Sequence, residues 1–167
     1  MVLVDKDIKK LVQKGLLISE NYKPENLGCV SYDLTIGNII DKEEVKDEYV
    51  LKPREFVIVK TNEELNIPLN LTGRIEEKNS LMRAGLFVCG PVYQPGHKTY
   101  SFLRAYNMSS ADIVLKKGFK IAQIFFDELT DIPEETYDKK VNASFNNENK
   151  YLRYGKYEEQ YQKIIKQ

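Results

Sequence analysis

Short apolar runs, cut by Gly, Pro and Asn, repeat along the middle of the chain between Leu71 and Phe126. Each run has the length and the β-branched or aromatic composition of a β-strand. Closely spaced short strands with turn residues between them are typical of sandwiches, jelly rolls and barrels. We therefore predict a mainly β fold. The strands predicted in this block are Thr72–Glu76, Leu86–Val88, Ser101–Tyr106, Asp112–Leu115 and Lys120–Phe126.

Two more strands are predicted ahead of this block. Ser31–Gly37 alternates apolar and polar residues and ends at a glycine turn, while β-branched residues dominate Phe56–Thr61. The charged run Asp41–Glu48 is predicted to be a solvated hairpin tip or an exposed loop, and Asn62–Pro68 a connector.

The two ends of the chain follow other patterns. Asp5 is predicted to cap a short amphipathic helix that stops at Gly15. Residues 127–150 are polar and have no regular period, which predicts a peripheral segment. The predicted organisation is a single domain over residues 1–167, with its core at residues 5–126 and a peripheral segment and Tyr-rich tail at residues 127–167.

The tail Tyr151–Tyr157 alternates aromatic and basic residues. This pattern fits an edge strand or a frayed terminus. It equally fits a flap whose tyrosines stack on something flat in a neighbouring site. The sequence leaves both alternatives open.

The composition does not indicate a nucleic acid or a membrane as a partner. The chain has 167 residues with 25 basic and 25 acidic side chains, so its net charge does not indicate a nucleic acid or a membrane surface. No apolar run approaches membrane-spanning length and no signal-peptide pattern is visible, so a cytoplasmic location is expected. Cys29 and Cys89 lie in apolar stretches and are expected to be buried thiols.

One polar interruption, between Lys78 and Gly85, carries candidate chemistry. Asn79 is predicted to cap a single helical turn that Gly85 ends, which leaves backbone N–H groups near Ser80 available to an anion. Lys78 and Arg83 would add positive charge at the same place. The alternative is a capped surface turn with two solvated cations, and the spacing alone does not decide between them.

The chain lacks the residues that several classes of enzyme require. A zinc nucleobase deaminase needs a Cys-x-x-Cys pair, which the chain does not contain. No phosphate-binding glycine loop of a nucleotide hydrolase and no dinucleotide-binding fingerprint occurs. His97 is the only histidine, and without a nucleophile motif it is expected to be a loop residue.

Taken in order, several motifs resemble the dCTP deaminase family of the dUTPase superfamily, of which this chain looks like a diverged member. The resemblance extends from about Asp5 to Phe126, with a weaker likeness in the tail. Its motifs are Asp5–Ile8, Ser31–Leu34 with Gly37 and Asn38, Lys78–Leu86, Pro95 with Gly96, Tyr106 with Asn107, and Gly118–Gln123 with Phe126.

The resemblance implies a fold and an activity. It implies a homotrimer of distorted β-barrel or jelly-roll subunits, with an N-terminal helix, one short helical turn, and active sites at the subunit interfaces. It also implies a deoxynucleoside triphosphate carried with magnesium. The expected reaction is zinc-independent water attack on cytosine, or hydrolysis of the bond between the α- and β-phosphates.

Carried over by position, five residues are implied to bind the nucleotide or its phosphates. Ser80 and Arg83 match positions that bind the triphosphate, and Lys78 matches a basic position. Asn79 stands where the family usually has a serine. Gln123 matches a glutamine of the last core strand.

Two departures concern catalysis. Gln94 stands where the family has an aspartate before Pro-Gly, and Arg104 stands where it has its general-base glutamate. A guanidinium has no lone pair with which to take a proton. Glu76 and Glu77 are the nearest carboxylates in sequence, but we do not expect either to replace the base. If Arg104 faces the cleft, it instead suits a phosphate, or a pair with one of these glutamates. The alternative is that Arg104 points away from the cleft, on the strand face that it shares with Phe102.

Three hypotheses remain open at this point. The chain is an enzyme, a dCTP deaminase or dUTP hydrolase with a rearranged site. Alternatively it is a non-catalytic, nucleotide-binding or regulatory relative, which Gln94 and Arg104 favour. The third hypothesis is a structural trimer that binds no nucleotide.

Overall fold

The computed structural model describes residues 1–42, 44–152, 159, 162 and 163. Within them lie helices α1 (Asp5–Val12) and α2 (Asn79–Arg83) and one 3₁₀ turn at Pro24–Asn26. The strands are β1 (Leu17–Glu20), β2 (Tyr32–Asp41), β3 (Glu44–Lys46), β4 (Glu48–Leu51), β5 (Phe56–Asn66), β6 (Leu71–Glu76), β7 (Leu86–Cys89), β8 (Val92–Tyr93), β9 (Lys98–Asn107), β10 (Ile113–Lys116) and β11 (Lys120–Glu128).

Most strands join one curled antiparallel sheet. Its order is β7-β9-β5-β2-β11-β6-β8, with β1 added beside β5 and β3 beside β2. Strands β4 and β10 form a separate two-stranded ribbon. The predicted mainly β, barrel-like fold with an N-terminal helix and one short helical turn is confirmed.

Side-chain alternation along the strands builds the core. In β5 and β9 every second residue is buried, as expected when successive side chains point to opposite faces. Two clusters result, one around Val59 and Leu103 and the other around Tyr32 and Phe126. No helix of the described residues is long and apolar enough to cross a membrane.

A carboxylate takes one of the inward positions. Glu63 is fully buried, and it accepts hydrogen bonds from the backbone N–H of Thr35 at 2.9 Å and from its hydroxyl at 2.7 Å. Burial raises the pKa of this carboxyl group. Glu63 thereby ties β5 to β2 just beyond the last register pair of the two strands, Ile36 with Thr61.

Two predicted strand ends were wrong. Gly37 does not end β2, because the strand continues to Asp41. A Cβ there would lie 2.9 Å from the carbonyl oxygen of Thr61, so glycine serves close strand approach rather than a turn. Likewise β5 runs through most of the predicted connector, up to Asn66. The charged run from Asp41 to Glu48 includes the β2–β3 hairpin.

Three local predictions are also corrected. Val4, not Asp5, flanks the start of α1, and no side chain caps this helix. Gly15 follows the helix with φ +73°, as predicted for its stop. Cys29 and Cys89 are exposed rather than buried. Cys89 alternates with the buried Val88 along β7, and Cys29 lies in an exposed loop beside the exposed Val30.

Candidate functional site

The turn formed by α2 follows directly after β6. The N–H groups of Leu81 and Met82 donate to the carbonyl of Lys78 at 2.9 and 3.0 Å. The amides of Asn79 and Ser80 precede these and have no acceptor within the helix. Gly85, with φ +84°, ends the turn.

The predicted cap of this turn is corrected. Asn79 is the first helical residue, and Lys78 flanks it without a side-chain cap. The Asn79 side-chain oxygen instead accepts from Nε of Arg83 at 3.1 Å. Asn79, Ser80 and Arg83 are all exposed, so the turn presents a guanidinium, a hydroxyl and two backbone N–H groups to solvent.

Lys78 and Gln123 lie beside this turn, around Asp33. The carboxylate of Asp33 contacts Nζ of Lys78 and, at 3.3 Å, Nζ of Lys120. Gln123 pairs with Asp33 in the β2–β11 register and donates to the carbonyl of Glu77 at 2.9 Å. Asp33 and Lys120 belong to motifs that carry the resemblance, but spacing alone does not reveal that they meet Lys78.

Arg104 lies elsewhere, on the outer face of β9. Its guanidinium carbon is 4.7 Å from the centre of the Phe56 ring, and the side chain is exposed. Glu76 does not pair with it, because Glu76 forms an ion pair with Arg74. The register places Arg104 between Cys89 of β7 and Ile58 of β5.

Gln94 belongs to a cleft of about 440 Å³. One wall consists of residues 91–94 and several residues of 97–102. The other wall is formed by Leu152 and by four side chains of residues 136–151, a segment that we call the strap: Tyr137, Phe145, Glu148 and Tyr151. Aromatic rings from both walls dominate the lining, and Arg104 is not part of it. The rings are those of Tyr93, His97, Tyr100, Phe102, Tyr137, Phe145 and Tyr151.

His97, which directly precedes β9, holds the strap against the start of that strand. Its Nε2 lies 2.9 Å from the carbonyl oxygen of Phe145, and its ring packs between those of Tyr93 and Tyr137. As predicted, His97 occupies a turn, but it is 5% exposed. Burial lowers the pKa of His97, so the ring is neutral near pH 7.

Further backbone contacts continue this attachment. Tyr137 N–H donates to the carbonyl of Pro95 at 2.8 Å, and Tyr100 N–H donates to that of Glu148 at 3.3 Å. Tyr151 lies 5.8 Å, ring to ring, from Phe102. The other tyrosines of the predicted flap at 154 and 157 lie outside the described residues.

The turn and the cleft are separate in one chain. None of the described residues 78–85 lines the cleft. In the part of the chain that is described, no group of three or more His, Cys, Asp or Glu side chains is placed to hold a metal ion.

The chain is similar to proteins of known family. A family model described as "dCTP deaminase-like" matches residues 38–129. The "dCTP deaminase, dUMP-forming" of Aquifex aeolicus is 30% identical over 162 residues, covering 86% of this chain and 90% of the relative. The "dCTP deaminase" of Pyrococcus horikoshii is 30% identical over 140 residues, covering 80% and 88%.

Solved structures share the fold. The 2'-deoxycytidine 5'-triphosphate deaminase of Agrobacterium tumefaciens superposes with a TM-score of 0.64 at 18% identity, covering 75% of this chain and 47% of that one. The dUTPase of phage phi11 of S. aureus, whose structure details a structural Mg(II) ion, gives 0.51 at 14% identity, covering 92% and 98%.

Proposed function

The chain belongs to the dCTP deaminase-like family, and from this premise we propose that it binds a pyrimidine deoxynucleoside triphosphate, dCTP or dUTP, with magnesium. The observation that carries the proposal is a cationic turn whose first backbone amides have no acceptor within the helix, in a chain that also holds an aromatic cleft. These features match the two chemical ends of a nucleotide.

The turn is the proposed phosphate end. Arg83 and Lys78 supply positive charge, and Ser80 supplies a hydroxyl beside amides without helical partners. Asn79 orients Arg83 through the 3.1 Å contact to Nε. Gln123 braces the chain just before the turn through its bond to the Glu77 carbonyl.

The cleft is the proposed end for the base and sugar. No Lys or Arg occurs among the described residues that line it, so it does not suit phosphates. Its aromatic rings suit the faces of a planar base. Gln94 stands at its wall and offers both a donor and an acceptor.

A homotrimer is proposed because the turn and the cleft are separate within one chain. In an assembly, the turn of one copy can lie beside the cleft of a neighbouring copy. An exposed aromatic row also supports association. Phe87, Tyr106 and Phe56 are register neighbours across β7, β9 and β5. Phe87 is 42% exposed and Phe56 50%, as is common where a surface is covered in an assembly.

Magnesium is proposed to arrive on the triphosphate. Asp33, the carboxylate beside the turn, already contacts Lys78 and Lys120. Mg²⁺ keeps several waters and takes its other ligands from substrate phosphates and one or two carboxylates. The residues present therefore fit a metal carried by the ligand better than a site built by the protein.

A non-catalytic nucleotide-binding role is the second candidate function. Arg104, at the position of the family's base, is a cation that stacks on Phe56 outside the cleft. General-base catalysis contributes about 10²–10⁴-fold. Deamination of dCTP is therefore expected to be slow or absent, and the double change Gln94→Asp with Arg104→Glu is expected to raise it.

Calorimetric titration with dCTP and dUTP in magnesium tests binding. A hydrogen bond to a charged group contributes about 1.5–3 kcal/mol, so Arg83→Ala should weaken binding about ten- to a hundred-fold. Arg54→Ala, at an exposed arginine outside the turn and the cleft, is the matched control. Equal affinity of Arg83→Ala and the unchanged chain would remove the turn from the site. A chromatographic assay with both nucleotides then measures turnover, and rapid deamination by the unchanged chain would favour the enzyme.

A further inference from the structure

The polar groups of the aromatic cleft are biased toward hydrogen-bond acceptors. Among the described residues that line it, Glu148 is the one carboxylate, and none is Lys or Arg. Gln94, Thr99 and the tyrosines each both donate and accept. The described lining of the cleft therefore has a fixed acceptor but no fixed cationic donor.

His97 strengthens this bias. A carbonyl oxygen only accepts, so the Nε2 that lies 2.9 Å from the Phe145 oxygen carries the proton. In the neutral ring Nδ1 then holds a lone pair. Nδ1 is buried, and no described residue bonds to it.

Glu148 is held at the cleft by its backbone. Its carbonyl accepts from the N–H of Tyr100 at 3.3 Å and from the hydroxyl of Thr99 at 3.2 Å. Its negative charge acts on the phenol of Tyr93 and adds to the effect of burial in raising the pKa of that group. Tyr93 is 2% exposed and also lines the cleft. The negative charge of Glu148 therefore acts on a group of the opposite wall.

Pyrimidine bases differ in the group that such an acceptor would meet. Cytosine carries an exocyclic amine, which donates, where uracil carries a carbonyl oxygen, which only accepts. A carboxylate accepts from that amine and repels that oxygen. Its two oxygens offer about four lone-pair sites, so a partner on one of them leaves others for a ligand.

We propose that Glu148 is a specificity-determining residue that accepts a hydrogen bond from the exocyclic amine of cytosine, so that the cleft selects dCTP over dUTP. This inference rests on the proposed function. It assigns the selection to the strap, and not to Gln94, in the turn after β8, or to Arg104 on β9.

The test compares dCTP with dUTP, and 2'-deoxycytidine with 2'-deoxyuridine, by calorimetry and NMR titration. A good contact of this kind discriminates by about ten-fold or more. The unchanged chain should prefer the cytosine member of each pair by that factor. Glu148→Gln, whose amide also donates, should bring the preference below about three-fold and improve uracil binding. Glu135→Gln, the same change at an exposed position just before the strap and outside the cleft, should leave it intact.

The outcomes separate this inference from the proposed function. Equal affinity for both bases, with Arg83→Ala still weakening triphosphate binding, overturns the role of Glu148 alone. Equal loss of both bases in Glu148→Gln assigns Glu148 a structural role and also overturns the inference. Absence of binding by every nucleoside and nucleotide overturns both.

Discussion

Gly90 follows β7 and stands against the core, and replacing it with alanine is a sharp test of the packing. A Cβ at Gly90 would lie 2.5 Å from Cδ2 of Leu103 and 3.0 Å from Cγ1 of Ile75. Carbon atoms pack at about 3.5–4.0 Å, so a side chain must move by about 1 Å. Leu103 is fully buried and cannot swing into solvent.

The expected cost of Gly90→Ala is about 1–3 kcal/mol in the free energy of unfolding, the usual range for an overpacked core. Leu103→Ala alone should cost about 2–5 kcal/mol, because it leaves a cavity. In the double variant the new methyl group occupies part of that cavity. The combined cost should therefore be less than the sum by about 1–3 kcal/mol.

Urea unfolding followed by circular dichroism at a fixed protein concentration measures all four members of this cycle. Leu65→Ala removes an equally buried leucine from the other core cluster. Its cost should add to that of Gly90→Ala within about 0.5 kcal/mol. Additive costs for Gly90→Ala and Leu103→Ala would refute the predicted contact.

Three further predictions concern protonation, assembly and thiols. Because burial lowers the pKa of His97, its contribution to the free energy of unfolding is present above about pH 6.5 and is lost as the pH falls from there toward the folded pKa. Between pH 7 and pH 5.5, the urea midpoint of His97→Gln should therefore change less than that of the unchanged chain. Native mass spectrometry should show a dominant species at three times the 19.4 kDa chain mass, and a stable monomer at micromolar concentration would contradict the homotrimer. Cys29 should react rapidly with a thiol reagent, whereas Cys89, which neighbours Arg104, should react more slowly once the aromatic row is covered.

Strands with regular alternation were predictable, and their extents were not. Thr61 and Glu63 point inward along β5, so a rule that places apolar residues inside ends this strand too early. The polar inward positions are stable because Thr35 satisfies the Glu63 carboxylate, a partner 28 residues away. Strand β8 has two residues, which is too short to form a pattern.

The candidate site was predicted in part. Spacing located the turn that holds Ser80 and Arg83, because Gly85 marks its end. The wrong cap followed from treating Asn79 as a residue outside the helix. The position of the strap could not be predicted, because residues 136–151 have no period and several of their attachments use backbone atoms, which every residue shares. For the same reason, the sequence pattern does not indicate that Glu148 lines the cleft.

The place of β11 in the sheet has a consequence for synthesis. It is the last strand among the described residues, yet it lies between β2 and β6 and pairs with both. Until residues 120–128 have left the ribosome, each of those strands has an edge without a partner, and unpaired edges invite association with other chains. The nascent barrel therefore cannot close strand by strand as it emerges. It closes in one late event, when β11 pairs with β2 on one side and with β6 on the other and so joins the two parts of the sheet.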